Sequence, residues 1–263
     1  MQAQVNTGAV GFDIPGGRYD RFMGRYSALL APLMVDAAEA VLGMTAVDVG
    51  CGPGAVTVEL ASRIGDAAVA GIEPSEPFVA TCRERLPNSD IRQGFAEDLP
   101  WPDDAFDAAL CCLVVGFMRD PQKAMDEMRR VTRPRGRVAA CFWDVPRQEM
   151  LSLTAQAIRD VRPDMDPHPN ELAGATEGDI ARLMAGAGLE IRDQGEWTVV
   201  ADYRDFDDFW DPITRSAGPI GDAIAALTSD ELGRVRTLLA ERMPDGQFSL
   251  SGTAWYAVGV VQG

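Results

Sequence analysis

The segment from Ala46 to Gly54 constrains this chain more than any other, because a short apolar stretch runs directly into three closely spaced glycines. Apolar residues followed by Gly50, Gly52 and Gly54 predict a buried strand that ends in a tight turn before a helix. Glycine lacks a Cβ atom, so it permits the turn and lets a ligand lie against bare backbone. The segment therefore predicts a binding loop at the end of a strand.

The glycine spacing fits two kinds of nucleoside cofactor. Gly50, Gly52 and Ala55 match the dinucleotide pattern G-x-G-x-x-G/A, which would indicate a nicotinamide-dependent oxidoreductase. Asp48 favours the other kind, because its carboxylate would repel a pyrophosphate but steady the ammonium group of an amino-acid tail. Glu73 ends the next apolar run, where a carboxylate accepts the two ribose hydroxyls of either cofactor. The loop predicts a nucleoside cofactor, and Asp48 favours one with a methionine-like tail.

Short apolar runs alternate with helical patterns in the first half of the chain, which is typical of a parallel sheet with crossover helices. The predicted strands of this half are 46–49, 67–72, 90–93, 106–115 and 137–142, and the predicted helices are 55–64, 76–86 and 121–131. The later pattern predicts helices at 150–161, at 177–187 and within 202–243, and strands at 189–200 and 248–261. We therefore expect an α/β protein with three regions: a helical lid over 1–45, a cofactor-binding core over 46–145, and the remaining sheet with helical substrate-cap insertions over 146–263.

The charge of the chain limits its partners. Asp and Glu number 40 against 24 Lys and Arg, which leaves a formal net charge of −16. An acidic surface repels phosphates, so nucleic acid and anionic membranes are not expected as partners. The sequence shows neither a secretory start nor an apolar stretch of membrane-spanning length, so we expect a cytoplasmic protein. Its five cysteines lack CxxC spacing and are expected to be reduced and buried, and no metal site is predicted.

Four motifs in order make the chain resemble the class I S-adenosylmethionine (SAM) dependent methyltransferases, in the subgroup that includes ubiquinone and menaquinone biosynthesis methyltransferases. The motifs are VDVGCGPG (47–54), GIEPS (71–75), AEDLPWPDDAFD (96–107) and EMRRVTRP (127–134). The leader YDRFMGRY (19–26) is similar to the cofactor-covering start of this family. The resemblance is strong over about 19–144. It implies a Rossmann-like, seven-stranded sheet whose last strand is antiparallel.

The resemblance also implies a set of cofactor contacts. The glycines would cradle the methionine part, Glu73 would bind the ribose, and Cys111 would lie near the sulfonium at the end of the fourth strand. Pro74 would cover one face of the adenine, and Ala96 and Glu97 would meet its edge. The full set of expected cofactor-binding residues is Tyr19, Arg25, Asp48, Gly50, Gly52, Gly54, Glu73, Pro74, Ala96, Glu97 and Cys111.

Two departures from the family pattern concern adenine recognition and catalysis. Phe95 stands where the family usually has an aspartate that accepts the adenine amino group, so the backbone of Ala96 or the carboxylate of Glu97 would have to serve. The segment 113–117 lacks the histidine that many relatives carry after the fourth strand, and the sole histidine, His168, lies in a proline-rich loop. No catalytic base is predicted, and catalysis is expected to rest on positioning beneath a mobile lid.

The favoured function is SAM-dependent O-, N- or C-methylation of a small-molecule acceptor. A SAM-binding cyclase or isomerase and a non-catalytic SAM-binding protein stay open, and a nicotinamide-dependent oxidoreductase is less favoured. The residues expected to face the acceptor are Tyr26, Phe117, Trp143 and Trp210, although the spacing of Trp210 with Phe206 and Phe209 is more typical of a helix face packed on the core. Homodimerisation also stays open.

Overall fold

Seven strands form one sheet in the computed structural model, which describes residues 15–167, 172–216 and 218–263. The strands are β1 (Ala46–Val49), β2 (Val69–Glu73), β3 (Asp90–Gln93), β4 (Phe106–Cys112), β5 (Thr132–Gln148), β6 (Leu189–Tyr203) and β7 (Phe248–Val261). Their order across the sheet is β3-β2-β1-β4-β5-β7-β6. The first five pair in parallel, and β7 runs antiparallel to both of its neighbours. The predicted Rossmann-like sheet with an antiparallel last strand is confirmed.

Helices cover both faces of this sheet. They are α1 (Gly16–Arg21), α2 (Gly24–Ala37), α3 (Ala55–Ile64), α4 (Glu76–Arg85), α5 (Pro121–Val131), α6 (Glu149–Val161), α7 (Asp179–Gly186), α8 (Phe206–Ile213), α9 (Gly218–Ala225) and α10 (Ser229–Arg242). The bounds of α5 follow from its sequence, because the Asp120 carboxylate accepts from the backbone N–H of Lys123 at 3.0 Å and Pro121 opens the first turn. No helix in the described ranges is long and apolar enough to cross a bilayer.

Alternate residues of the central strands enter two hydrophobic clusters, one on each face of the sheet. Leu110 of β4 belongs to the cluster covered by α2, α3 and α6, whereas Ala109 and Cys111 belong to the cluster covered by α5 and α7. Strands β1 and β2 are buried along their whole length, as expected for parallel strands with helices on both sides. With helices on both faces, the carboxyl ends of the parallel strands β1, β2 and β4 lie together at one edge of the sheet.

Strand β4 is shorter than its apolar sequence predicts. It ends at Cys112, because Leu113 has a left-handed backbone with φ of 62° and the chain then enters a 3-10 turn at Val115–Phe117. The backbone N–H of Leu113 still donates to the carbonyl of Cys141 on β5, at 2.9 Å. The prediction of a strand to residue 115 is wrong, since an unbroken apolar run carries no signal of this turn.

The structure divides the predicted helical lid over 1–45 into two parts. Helix α1 lies over the edge of the sheet, where Tyr19 packs against Phe78 of α4 with ring centroids 5.1 Å apart. Helix α2 instead belongs to the core, because Tyr26, Leu30 and Met34 are fully buried. Helix α2 is thus part of the hydrophobic core, and a lid over residues 1–45 stays a prediction for which, among the described residues, only α1 has a suitable position. Residues 1–14 lie outside the described ranges.

The role of α2 in the core can be tested with two adjacent leucines. Leu30→Ala should lower the free energy of unfolding by about 2 to 5 kcal/mol, because it leaves a cavity in packed core. Leu29, 42% exposed on the same helix, is the matched control, and Leu29→Ala should change stability by about 0.5 kcal/mol or less. Urea denaturation of both variants measures the difference. Equal effects would contradict the assignment of α2 to the core.

Candidate functional site

A cavity of about 940 Å³, open to solvent, lies at the carboxyl ends of β1, β2 and β4. The glycine loop forms its floor and is held to β2, because the backbone N–H groups of Gly50 and Cys51 both donate to the carbonyl of Ile72, at 2.8 and 3.0 Å. The predicted site residues that line the cavity are Tyr19, Asp48, Gly50, Gly52, Glu73, Pro74, Ala96, Glu97 and Phe117. Ligand sites of open α/β sheets occur at this edge.

The three glycines of the loop have different tasks. All three have positive φ angles, of 74°, 53° and 107° in chain order. A Cβ atom at Gly50 would come within 2.5 Å of Val114, and one at Gly54 within 3.0 Å of the Cys82 sulfur, so these two glycines permit close packing. A Cβ at Gly52 would meet no protein atom within 4 Å. Gly52 therefore leaves open space beside the backbone, whereas Gly54 does not line the cavity.

Glu73 ends β2 with its side chain 6% exposed. One carboxylate oxygen accepts from the backbone N–H of Gly52 at 3.1 Å and the other from the N–H of Ser75 at 2.9 Å. Burial raises the pKa of Glu73 to about 7 against the lowering effect of these two hydrogen bonds. These two hydrogen bonds fix the position of the Glu73 side chain in the lining of the cavity.

Asp48 lies on β1 beside Glu73 and is almost fully buried. One of its oxygens accepts the hydroxyl of Thr57 on α3 at 2.7 Å. Burial raises the pKa of Asp48 to about 7, and the Thr57 hydrogen bonds oppose this rise. Two buried carboxyl groups with little compensating positive charge make this end of the cavity suited to a cationic group.

The far end of the cavity combines an exposed ring with a guanidinium. Phe95 is 40% exposed, and the guanidinium of Arg119 lies 4.2 Å from its ring centroid. Glu97 accepts from the backbone N–H groups of Arg119 and Asp120, at 2.7 and 3.2 Å, so its carboxylate fixes this loop. Phe95 and Arg119 were not predicted as site residues, since neither matches the family motif.

Arg25 was predicted to bind the cofactor, and the structure gives it a different partner. Its guanidinium pairs with both oxygens of Asp208, at 2.7 and 3.1 Å, and lies 4.6 Å from the ring centroid of Tyr203. Asp208 holds Arg25 outside the lining of the cavity, and the pair joins α2 to α8. Arg25 is therefore a structural residue of the described chain.

Cys111 was predicted to lie near the sulfonium, but its neighbour Cys112 is the residue that reaches the cavity. Cys111 is fully buried in the cluster under α5 and α7, whereas Cys112 lines the cavity. Successive side chains of a strand point to opposite faces of the sheet. A prediction that is wrong by one residue therefore assigns the side chain to the wrong face.

A second cavity of about 590 Å³ adjoins the first. Tyr19, Leu113 and Phe117 line both cavities, and the left-handed backbone of Leu113 places its side chain at this junction. Strained backbone of this kind concentrates at functional sites. The other residues that line the second cavity are Phe22, Met23, Phe142, Trp143, Val145, Leu151, Leu172, Gly218, Pro219 and Ile220.

Only two of the four predicted acceptor-facing residues line the second cavity, namely Phe117 and Trp143. Tyr26 is fully buried, and its hydroxyl lies 3.1 Å from the hydroxyl of Tyr203. Trp210 is buried and stacks on Phe206, as its helical spacing favoured. Tyr26 and Trp210 were misassigned because an aromatic ring on an amphipathic helix fits the core as well as a binding site.

Within the segment 113–117, which lacks the family's histidine, position 116 has no room for one. Gly116 lies in the turn after β4, and a Cβ atom there would overlap the ring of Phe142 from β5. Phe142 is buried and packs against Phe117 with ring centroids 5.5 Å apart. His168 lies outside the described ranges. Within those ranges no group of His, Cys, Asp and Glu has the arrangement of a metal site.

Comparisons with known proteins find a methyltransferase domain in this chain. Residues 47–140 match the family model described as a methyltransferase domain. A demethylmenaquinone methyltransferase of Desulfitobacterium hafniense is 34% identical over 113 residues, covering 40% of this chain and 45% of the relative. The chain spans less than half the length of the first curated relatives that it matches.

Two solved structures share the fold over about nine-tenths of the chain. The YcgJ protein of Bacillus subtilis superposes with a TM-score of 0.59 at 20% identity, over 90% of this chain and 99% of the other. The [4+2]-cyclase SpnF superposes with a TM-score of 0.56 at 21% identity, over 89% and 80%. Sheet order, glycine loop and strand-end acid define a class I methyltransferase fold. Residues 47–140 are therefore similar to the methyltransferase domains of the class I SAM-dependent methyltransferases, a family whose cofactor is SAM.

The contact between Gly116 and Phe142 predicts a steric penalty. Gly116→Ala should lower the free energy of unfolding by about 1 to 3 kcal/mol, because the added methyl group overpacks the turn. Gly233, exposed within α10 and with open space at its Cβ position, is the control. Gly233→Ala should raise stability by about 0.5 to 1 kcal/mol through helix propensity. Thermal or urea denaturation measures both, and a stabilising Gly116→Ala would disprove the overlap.

The buried carboxyl groups predict a pH dependence of stability. The pKa of Glu73 in the folded protein, about 7, exceeds that of an exposed glutamate, so the folded state binds more protons than the unfolded chain at intermediate pH. The free energy of unfolding should therefore fall as pH rises from about 5 to 8. Glu73→Gln should flatten this profile, and Glu76→Gln, on the exposed start of α4, should leave its slope unchanged. Urea denaturation across this pH range would contradict the assignment if the Glu73→Gln profile kept the wild-type slope.

Proposed function

We propose that this protein transfers the methyl group of SAM to a small-molecule acceptor. The observation that carries the proposal is the junction at Leu113, where the cavity that contains the carboxyl groups of Asp48 and Glu73 meets a second cavity whose described lining residues carry no charge. Methyl transfer requires the acceptor atom, the methyl carbon and the sulfur to lie in one line. Two cavities that share the lining residues Tyr19, Leu113 and Phe117 support the proposal, because a cofactor in one and an acceptor in the other would meet at this junction.

The residues of the first cavity fit SAM. Gly52 offers open backbone for the methionine part, and Asp48 offers a carboxylate for its ammonium group. Glu73 offers an acceptor for the ribose hydroxyls, and Pro74 and Phe95 line the region suited to adenine. When bound, SAM supplies a methyl group that its sulfonium activates for transfer.

The chain's own contribution to the reaction is positioning. Tyr19 lines both cavities, and burial, with further effects of Cys112, Glu73 and Asp20, raises the pKa of its hydroxyl well above the usual value. The hydroxyl therefore keeps its proton near neutral pH and does not serve as a base. Acceptor atoms that need no strong base, such as a phenolate, an amine or a stabilised carbanion, fit this site.

The region after residue 145 contributes the far side of the acceptor cavity. Leu151 of α6, Leu172 and Ile220 of α9 line it. Helix α1 lies over the junction between the two cavities, and an ion pair between Asp20 and Arg85 connects this helix to α4. The division into a cofactor core and a later substrate cap is thus supported by where these side chains lie.

The proposal is tested by mixing the protein with methyl-labelled SAM and pools of phenols, amines and enolisable ketones. Label in a product that depends on active protein supports methyl transfer. A SAM-binding cyclase or a non-catalytic binder would retain the cofactor and release no labelled product from any pool. A protein that binds NAD and neither SAM nor its demethylated product would disprove the cofactor assignment.

Cofactor binding is expected to depend on Glu73. At pH 8, above the pKa of this carboxyl, Glu73→Gln should weaken binding of S-adenosylhomocysteine by about 1.5 to 3 kcal/mol, because the charged acceptor for the ribose is lost. Glu76→Gln is the control and should bind as wild type does. Isothermal titration calorimetry measures both affinities. Unchanged affinity of Glu73→Gln would remove Glu73 from the site.

The glycine loop provides an independent test by steric block. Gly52→Leu should abolish binding of S-adenosylhomocysteine, since the side chain fills the space beside the loop. Gly65 also has positive φ, at 93°, and open space at its Cβ position, so Gly65→Leu carries a similar backbone strain outside the cavity. The control should fold and bind normally. If Gly52→Leu also binds normally, the cofactor lies elsewhere.

A further inference from the structure

We infer that Leu113 limits the size of the alkyl group that the cofactor can pass to the acceptor, because this residue lines both cavities where they meet. The inference rests on the proposed function for the identification of the first cavity as the SAM site and of the second as the acceptor site. It goes beyond that function by assigning the selectivity for a methyl group to one side chain.

The order of the strands places Leu113 on the boundary between the cavities. Strand β4 lies between β1, which leads into the glycine loop of the first cavity, and β5, which carries Phe142 and Trp143 of the second. Leu113 directly follows β4 and is only 6% exposed. Among the described residues, Tyr19 and Phe117 are the others that line both cavities. A group that moves from the cofactor to the acceptor must therefore pass beside these three side chains.

The backbone of Leu113 has a conformation that leucine rarely adopts. Its φ angle of 62° lies in the left-handed region, where the Cβ atom of an L-residue comes too close to the following carbonyl oxygen. A glycine would take the same turn without this strain, because it has no Cβ atom. Strained backbone persists only where the surrounding structure holds it, and such residues cluster at functional sites. The conformation therefore points to a role of the leucine side chain itself.

The turn after β4 is held from both sides, which fixes Leu113 at the boundary. The backbone N–H of Leu113 donates to a backbone carbonyl of β5 at 2.9 Å. The next residue, Val114, packs so closely on the glycine loop that a Cβ atom at Gly50 would come within 2.5 Å of it. On the other side, a Cβ atom at Gly116 would overlap the ring of Phe142. Any shift of this turn would displace either the glycine loop or a wall of the second cavity.

A leucine at this boundary discriminates by size. Its side chain has no polar atom, so it offers the transferred group neither a hydrogen bond nor a charge. A methyl group needs little room beside it, whereas a larger alkyl group has to displace the side chain or the turn that holds it, and overpacking of this kind is destabilising. Leu113 is thus a specificity-determining residue, and it takes no part in the making or breaking of bonds.

The test compares ligands that differ only at sulfur: S-adenosylhomocysteine, which carries no transferable group; SAM; and the analogues of SAM in which an ethyl or a benzyl group replaces the methyl group. Affinities are measured by calorimetry in the absence of an acceptor. We expect wild-type protein to bind the benzyl analogue at least about tenfold more weakly than SAM, with the ethyl analogue between them. Leu113→Ala should reduce this ratio to about threefold or less and change the affinity for S-adenosylhomocysteine by less than about twofold.

Matched variants separate the size of the side chain from the stability of the turn. Leu113→Met keeps the bulk of the side chain and should keep the wild-type ratio. Leu113→Gly removes the side chain and the backbone strain together, so it should relax the ratio as Leu113→Ala does but unfold at a higher urea concentration than that variant. Val114→Ala shortens the neighbouring residue, which lines the first cavity and not the second, and it should keep the wild-type ratio.

The outcomes distinguish this inference from the proposed function. If Leu113→Ala does not fold, Leu113→Gly provides the same comparison on an unstrained backbone. Relaxation of the ratio by Phe117→Leu and not by the Leu113 variants would assign the size limit to Phe117 and overturn the inference. Equal affinities of wild-type protein for SAM and the benzyl analogue would overturn it as well. If wild-type protein binds neither SAM nor S-adenosylhomocysteine, the proposed function itself is wrong, because the first cavity is then not the cofactor site.

Discussion

The attachment of the glycine loop to the end of β2 is the interaction on which the rest of the site depends. Backbone N–H groups of Gly50 and Cys51 donate to the carbonyl of Ile72, and the N–H of Gly52 donates to the Glu73 carboxylate. These bonds connect the loop after β1 to the end of β2. They keep the buried carboxyl groups of Asp48 and Glu73 close to the open backbone at Gly52. The raised pKa values of Asp48 and Glu73 follow from this arrangement, because it buries them without a cationic partner.

The sequence predicted those parts of the structure that local chemistry determines. The bounds of β1, β3, β7, α3 and α5 agree with their predicted ranges, because glycine, proline and capping residues mark where these elements begin or end. The glycine loop and the strand-end acid were predicted for the same reason. Their function depends on backbone conformation and on position relative to a strand end, and both leave a pattern in the sequence.

The parts that the sequence did not predict depend on partners distant along the chain. Arg25 is held by Asp208, which lies 183 residues later, and no local pattern reports that pairing. Tyr26 is buried in the hydrophobic core, where its hydroxyl finds a partner in Tyr203 on β6, 177 residues later. The placement of Cys111 and Cys112 depended on the last residue of β4, which is set by the left-handed turn at Leu113. Within an apolar run, composition does not indicate which residue leaves the strand.

Phe142 connects the absence of a histidine at position 116 with the form of the second cavity. Its ring fills the space that a side chain at Gly116 would need, and it also forms part of the apolar wall beside Trp143. A polar base at position 116 and this aromatic wall could not coexist without displacing the ring. Position 116 therefore contributes no proton-transferring side chain, and the ring of Phe142 contributes apolar surface to the second cavity.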